Sequence, residues 1–556
     1  MWYPHLSTHE VTNQVPPLAG HDVAGDQALL TAVADQGADW VIPELHELGS
    51  LAGSADVAEL ARLANAHSPV LRTHDRYGHR IDEVEFHPAW HQLMTTAVGH
   101  GLHATAWASG KSGAHVARAA KFYVWTQAEA GHGCPISMTY SIVPALRHAP
   151  DLAARYEPLL ASQEYQPGLA VPETKAGLLA GMAMTEKQGG SDVRANTTRA
   201  EPAGDGSYLV TGHKWFCSAP MCDLFLILAQ APEGLSCFLL PRVLPDGSRN
   251  AMRLQRLKDK LGNRSNASSE VEYEDAVAWP VGELGHGVPT IIEMVSSTRL
   301  DCVIGSAATI RQAVTEAAHH ARYRKVFGRP LIDQPAMAAV LADLALESEA
   351  ATLLTIRLAG AADRASQGDA AEAALLRLML PAAKHWVCKR TPLIVGEALE
   401  CLGGNGYVEE SVLPRLYRDA PLNSIWEGSG NVTALDLLRA LSRSPAGLDS
   451  LRAELATGAG TDRRFDRASD RLFAELAALS SADRQSGQLQ ARRLAGLLTV
   501  TLQGLLMQKY SPVAVSDAFL ATRLAGAGAL GGPGASFGML PDTLELMPVL
   551  DRVRTR

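Results

Sequence analysis

The chain has 556 residues, enough for two to four structural units at about 100–200 residues each. Hydrophobic residues make up 47% and charged residues 20%, which supports a large core and excludes wholesale disorder. A net charge of −9 argues against a globally basic nucleic-acid binder.

Met1–Pro17 shows no basic run followed by an apolar stretch, so no secretory signal is expected. No run of about 18 apolar residues occurs, so no membrane span is expected either. The seven cysteines are scattered and form no CxxC pair. They read as reduced thiols in a cytoplasmic protein, with no metal site.

Residues 1–182 read as a helical domain. Gln27–Leu48, Ala55–Ala66 and Ala114–Ala130 carry apolar residues three and four apart, and Ser54 is placed to cap the second of these. Residues 183–285 read as a β domain. Tyr208–Thr211, Leu224–Leu228, Cys237–Leu240 and Val271–Tyr273 are β-prone, and turn signals stand at 202–206 and 245–247.

Residues 286–441 return to helices. In Leu300–Ala321 the apolar residues follow a 3.6-residue period, and the helix is expected to end near Phe327-Gly328. A second helix is expected from about Asp333, and a third over Ala370–Leu402, kinked at Pro381 and stopped by Gly403-Gly404. Residues 442–556 add further helices, clearest at Ala491–Tyr510. Ala525–Ser536, rich in Gly and Ala, reads as a flexible tail.

Five segments carry chemistry. Thr185-Glu-Lys-Gln-Gly-Gly-Ser-Asp192 offers hydroxyls and close backbone approach to a ligand. Gly212-His-Lys-Trp-Phe-Cys-Ser-Ala219 presents a flat ring, Phe216. Arg324-Lys-Val-Phe-Gly-Arg-Pro330 offers a guanidinium able to grip phosphate. Leu402-Gly-Gly-Asn-Gly-Tyr407 ends a helix. Asn423-Ser-Ile-Trp-Glu-Gly-Ser-Gly-Asn431 sets an acid just before a helix N-terminus, which favours anionic phosphate.

In this order and spacing the segments resemble the motifs of the acyl-CoA dehydrogenase family. With Lys258–Ala267, they look most like its AidB subgroup of alkylation-response flavoproteins. The resemblance implies an α+β fold with an N-terminal helical domain, a middle β-barrel, a C-terminal four-helix bundle and an added helical domain. It implies FAD as cofactor, an acyl-CoA thioester as substrate, an electron-transfer flavoprotein as acceptor and a homotetramer. Glu427 is then the base that removes the α-proton. The implied FAD contacts are Met182, Met184, Thr185, Gly190, Ser191, Phe216, Cys217, Ser218, Arg324, Phe327, Gly403, Gly404, Asn423, Ser429, Gly430 and Asn431. Arg324 and Phe327 serve a neighbouring subunit. Arg299 and Trp426 fall to the substrate. In family members that carry the base on the long helix, its position corresponds to Thr298-Arg299 here, and neither residue is an acid.

Residues 451–556 hold 13 Lys/Arg against 10 Asp/Glu, whereas the rest holds 37 against 49. Duplex DNA binding, which the subgroup resemblance implies for this region, is thus assigned to Arg439, Arg463, Arg464, Arg467, Arg492 and Arg493, with Arg471 beside them. Such contacts meet backbone phosphates and weaken with salt. Two alternatives remain at this level: a DNA-associated protective flavoprotein with weak dehydrogenase activity, and an acyl-CoA or nitroalkane oxidase. The nitroalkane oxidases usually have Asp as base, against Glu427 here.

Overall fold

A computed structural model describes residues 8–480, 483–524 and 536–554. The N-terminal region is built from helices α1 (Gln27–Asp35), α2 (Ile42–Ala52), α3 (Ala55–Ala66), α4 (Pro88–Gly99), α5 (Thr105–Ala108), α6 (Ala114–Thr126), α7 (Gly133–Leu146) and α8 (Pro150–Leu160). Ser54 caps α3 by accepting from Val57 N–H. The single helix expected over Gln27–Leu48 is two. The chain turns at Gly37, whose φ of +78° is a left-handed conformation that L side chains avoid, and Pro43 starts the next helix. A hairpin, β1 (Val70–His74) with β2 (Arg80–Glu85), interrupts the region read as all-helical. Its inward residues are sparse, so its alternation is faint in the sequence.

The middle region holds β3 (Ala180–Ala183), β4 (Arg199–Pro202), β5 (Tyr208–Ser218), β6 (Leu224–Ala231), β7 (Gly234–Pro241), β8 (Met252–Leu257) and β9 (Ser268–Pro280). The order β3-β6-β4-β5-β9-β7 closes on itself through β6–β7, which removes most free edges. Both expected turns occur: β4 and β5 form a hairpin across 203–207, and Gly247 N–H bonds Leu244 O.

The bundle consists of α9 (Gly287–Tyr323), α10 (Pro335–Ser366), α11 (Ala370–Cys401) and, after the short α12 (Gly404–Tyr407) and α13 (Leu413–Asp419), α14 (Gly430–Arg443). The periodic apolar residues of α9 are all buried. One expectation is corrected here. α9 ends at Tyr323, and Phe327 (φ +51°) and Gly328 (φ +85°) form the tip of a tight hairpin pairing Lys325–Val326 with Arg329–Pro330. α11 runs on through Pro381 and Pro392 to Cys401.

The added helices are α15 (Pro445–Ala456), α16 (Arg463–Ser480), α17 (Arg484–Tyr510), α18 (Val513–Phe519) and α19 (Met547–Leu550). α17 is buried all round from Leu494 to Met507, where it packs on α10, α11 and α14. The tail expected over Ala525–Ser536 falls, but for Ser536, outside the described residues. Beyond it the chain is docked: Gly538 N–H donates to Asp343 on α10, and Arg552 pairs with Glu349 at 2.7 Å. Among the described residues no helix is long and apolar enough to cross a membrane.

α6 and α9 are joined by a buried ion pair, Arg118–Asp301, with Arg118 Nη2 2.8 Å from Asp301 Oδ2. Arg118 also donates to Leu102 O at 2.6 Å and lies over the Tyr140 ring. Replacing Arg118 by Met strands a carboxylate in the core. Arg118→Met is expected to cost about 3–5 kcal/mol, read as a fall in the denaturation midpoint; an unchanged midpoint contradicts the pairing.

Candidate active site

Glu427 sits in the turn between α13 and α14, with a left-handed φ of +55° followed by Gly428 at +99°. The carbonyls of this turn are claimed by cations. Lys384, buried on α11, donates to Trp426 O at 2.8 Å and to Gly428 O. Arg299 on α9 donates from Nε to Glu427 O at 2.8 Å. His385 Nδ1 donates to Gly430 O at 3.0 Å. A Cβ on Gly428 would stand 3.1 Å from Val432 and 3.2 Å from Arg299 Nη2, so glycine lets the two chains meet.

With its backbone so held, Glu427 aims its carboxylate at α9, where Thr298 Oγ1 donates to Oε2 at 2.7 Å. Burial pushes the Glu427 pKa up; the Thr298 hydrogen bond and the charges of Arg299 and Lys384 pull the other way and do not cancel it. Arg299 is itself oriented by Asp436, at 2.7 Å from Nη1. Burial favours the neutral Asp436, but Arg299 and Arg377 outweigh it and hold its pKa below the usual value.

The Thr185–Asp192 loop is anchored by Glu186, which takes Lys214 Nζ at 2.9 Å and Thr197 N–H at 2.7 Å. Trp215 N–H donates to Thr185 O. On β5 Phe216 is 51% exposed, although most of the barrel's apolar side chains are buried. Cys217, one residue on, points to the opposite face and is fully buried, so its thiol does not share the Phe216 surface. Ser218 returns to the Phe216 side, 3.2 Å from Ser268 Oγ.

Cys134 is the buried second residue of α7. Burial raises its thiol pKa to about 12, Lys260 lowers it and Glu427 raises it. Lys260 donates to Asn266 O at 2.6 Å, and burial lowers its pKa to about 8. The Asn266 amide is buried with both side-chain polar atoms unpartnered among the described residues. Met182, Met184, Thr185, Phe216 and Ser218 stand on β3, β5 and the loop between β3 and β4, and Asn423, Trp426, Glu427, Ser429, Gly430 and Asn431 on the turn before α14 and its first residues. Gly190 and Ser191 lie exposed on the loop leading out of this region.

Other expected site residues have partners within the chain or lie exposed. Arg299, assigned to the substrate, spends Nε on Glu427 O and Nη1 on Asp436, because the turn carbonyl and the carboxylate hold it in place. Trp426 Nε1 donates to Asn423 Oδ1 at 2.9 Å, so these two side chains fix each other. Arg324 donates to Asn13 O, and Phe327 is 97% exposed. Gly403 and Gly404 are also exposed. None of these four residues has a described bond to the Glu427 cluster. Arg464 pairs with Asp462 and Asp517, and Arg471 and Arg493 with Glu475. Arg492 bonds Asn431. Arg439, Arg463 and Arg467 are exposed without a partner among the described residues. Lys384, His385, Glu186 and Asn266 were not singled out from sequence. Lys384 and His385 lie in the middle of a helix, and their partners are backbone carbonyls about 45 residues away.

The residues fit a flavin dinucleotide. An exposed aromatic face, the hydroxyls of Thr185, Ser191 and Ser218, and a helix start that Ser429 does not cap with its side chain suit a flat ring and phosphates.

Comparison with known proteins agrees with this geometry. Three family models match in order: the adaptive response protein AidB N-terminal domain at residues 13–167, the acyl-CoA dehydrogenase middle domain at 181–276 and the acyl-CoA dehydrogenase C-terminal domain at 285–442. The Escherichia coli (strain K12) protein AidB is 51% identical over 478 residues, covering 85% of this chain and 87% of its own. The chain belongs to the acyl-CoA dehydrogenase family. Acyl-CoA dehydrogenase family member 11 of Caenorhabditis elegans is 31% identical, over 70% of this chain and 65% of its own. The solved C. elegans ACDH-11, in complex with C11-CoA, superposes with a TM-score of 0.82 at 26% identity, covering 95% and 92% of the two chains. The Bd2924 apo form gives 0.80 at 30% identity, covering 90% and 100%.

A base works when deprotonated, so activity is expected to fall as pH drops through the raised Glu427 pKa. Thr298→Val removes a bond that favours the anion and is expected to move this acid limb up by about one unit. The pH profile of the single-turnover reaction with substrate checks it; a limb that stays or moves down contradicts the assignment.

Proposed function

We propose that the protein is an FAD-dependent dehydrogenase of acyl-CoA thioesters in which Glu427 takes the α-proton. What carries the reading is the Glu427 carboxylate, bonded to Thr298 on a turn whose carbonyls Arg299 and Lys384 hold. Phe216, Thr185 and Ser218 hold the flavin end, and Ser191 with Ser429–Asn431 the phosphates. When bound, FAD accepts the β-hydrogen with its electron pair.

An α-proton beside a thioester is too weakly acidic for an ordinary carboxylate. Burial raises the basicity of Glu427. The N–H of Glu427 makes no described hydrogen bond and is free to donate to the thioester oxygen as negative charge grows there. Lys384 and Arg299 prevent the turn from relaxing when the proton arrives, so the donor and the base keep their spacing. The exposed Phe327 at its hairpin tip supports a homotetramer in which it reaches a neighbour's cofactor.

Binding of duplex DNA is a second role, favoured by Arg439, Arg463 and Arg467, which are exposed and tied to no carboxylate among the described residues. Arg463→Ala with Arg467→Ala is expected to weaken retardation of duplex DNA and flatten its salt dependence. Unchanged retardation removes these residues from the role.

Anaerobic titration with a panel of acyl-CoA esters is expected to bleach the flavin of the wild-type protein. The Glu427→Gln protein is expected to keep FAD and stay oxidised. Full bleaching of that variant sinks the base assignment. Rapid reoxidation of the bleached wild-type protein in air would favour an oxidase.

A further inference from the structure

The added helices reach the turn that carries Glu427. Arg492, in the third turn of α17, donates from Nε to Asn431 Oδ1 at 2.8 Å. Its Nη2 stands 3.7 Å from where a Cβ on Gly430 would lie. Around the same point are Lys389 Cδ at 3.0 Å and His385 Cε1 at 3.7 Å. His385 is 7% exposed, and its Nε2 has no partner among the described residues. No carboxylate pairs with Arg492 or Lys389 among the described residues. That separates Arg492 from its neighbours Arg464, Arg471 and Arg493, which are neutralised by acids. Held by a neutral amide, Arg492 keeps its charge and two free Nη groups. α17 is also fixed to the segment of α11 that clamps the turn. A Cβ on Gly496 would come within 2.8 Å of Trp386, the residue after His385.

We propose that Arg492 is a cofactor-positioning residue: it reaches from the added helices to a phosphate of FAD at the first turn of α14, so these helices form one wall of the FAD site. The proposal rests on the reading of Ser429–Asn431 as FAD contacts. A guanidinium offers phosphate a planar pair of donors that an ammonium does not. The open N–H groups at the start of α14 add to the same attraction. Arg492 thereby leaves the set of residues assigned to DNA.

The test uses full-length protein stripped of flavin and titrated with FAD, followed by flavin fluorescence. Arg492→Ala is expected to raise the FAD Kd about tenfold. Arg492→Lys is expected to recover part of the loss, and Lys509→Ala, a charge removed elsewhere on α17, to stay within twofold of wild type. Salt is expected to weaken FAD binding more steeply in the wild type than in Arg492→Ala. The unfolding midpoint of the flavin-free Arg492→Ala protein is expected to match wild type. Binding within twofold of wild type with the same salt slope overturns the proposal, and so does a loss matched by an equal fall in the flavin-free midpoint. If Arg492→Ala behaves as expected while Asn431→Ala and Ser429→Ala bind FAD normally, the assignment of the first turn fails and this proposal with it. A wild-type protein that takes up no FAD overturns the flavoprotein reading itself.

Discussion

The site depends on the capture of four successive-turn carbonyls by side chains from two helices. Lys384 takes the carbonyls of Trp426 and Gly428, Arg299 that of Glu427, and His385 that of Gly430. With the carbonyls pulled toward α9 and α11, the turn accepts a left-handed Glu427, a conformation costly for a residue with a Cβ. The carboxylate is then directed at Thr298. Buried cations bonded to neutral carbonyls are themselves costly. Asp436 offsets this for Arg299 by supplying a carboxylate behind it.

The loop after β8 meets α13, where Asn263 N–H donates to Asp419 at 2.6 Å, and within that loop Lys260 donates to Asn266 O. Glu186 anchors the Thr185–Asp192 loop to β5 through Lys214. The loop is therefore braced at its first residues, while Gly190 and Ser191 stay exposed. The α17 helix continues the pattern, since it packs against the part of α11 that carries Lys384 and His385.

Much of this was legible in the chain because the informative features are local. The helix period of α9, the cap at Ser54, the hairpin turn at 203–207 and the acid before α14 each lie within a few residues of sequence. What escaped is non-local or weakly patterned. The β1–β2 hairpin has too few buried residues to alternate clearly. The Phe327-Gly328 pair looks like a helix stop and is a hairpin tip, because both residues take positive φ and the flanking residues pair. Arg299 carries a charge that suits a substrate, yet Asp436, 137 residues away, and the Glu427 carbonyl occupy it. In the added region Arg464, Arg471 and Arg493 likewise pair with acids, which leaves Arg463 and Arg467 there, and Arg439 on α14, exposed and unpaired among the described residues.

The proposed role of Glu427 in removing the α-proton can be tested apart from transfer of the β-hydrogen. An acyl-CoA analogue with sulfur at the β position has no hydride to give but keeps acidic α-hydrogens. Incubated with the FAD-loaded protein in heavy water, it is expected to lose its α-proton NMR signal to deuterium in the wild type and to retain it in Glu427→Gln. Equal washout in both proteins would contradict the account.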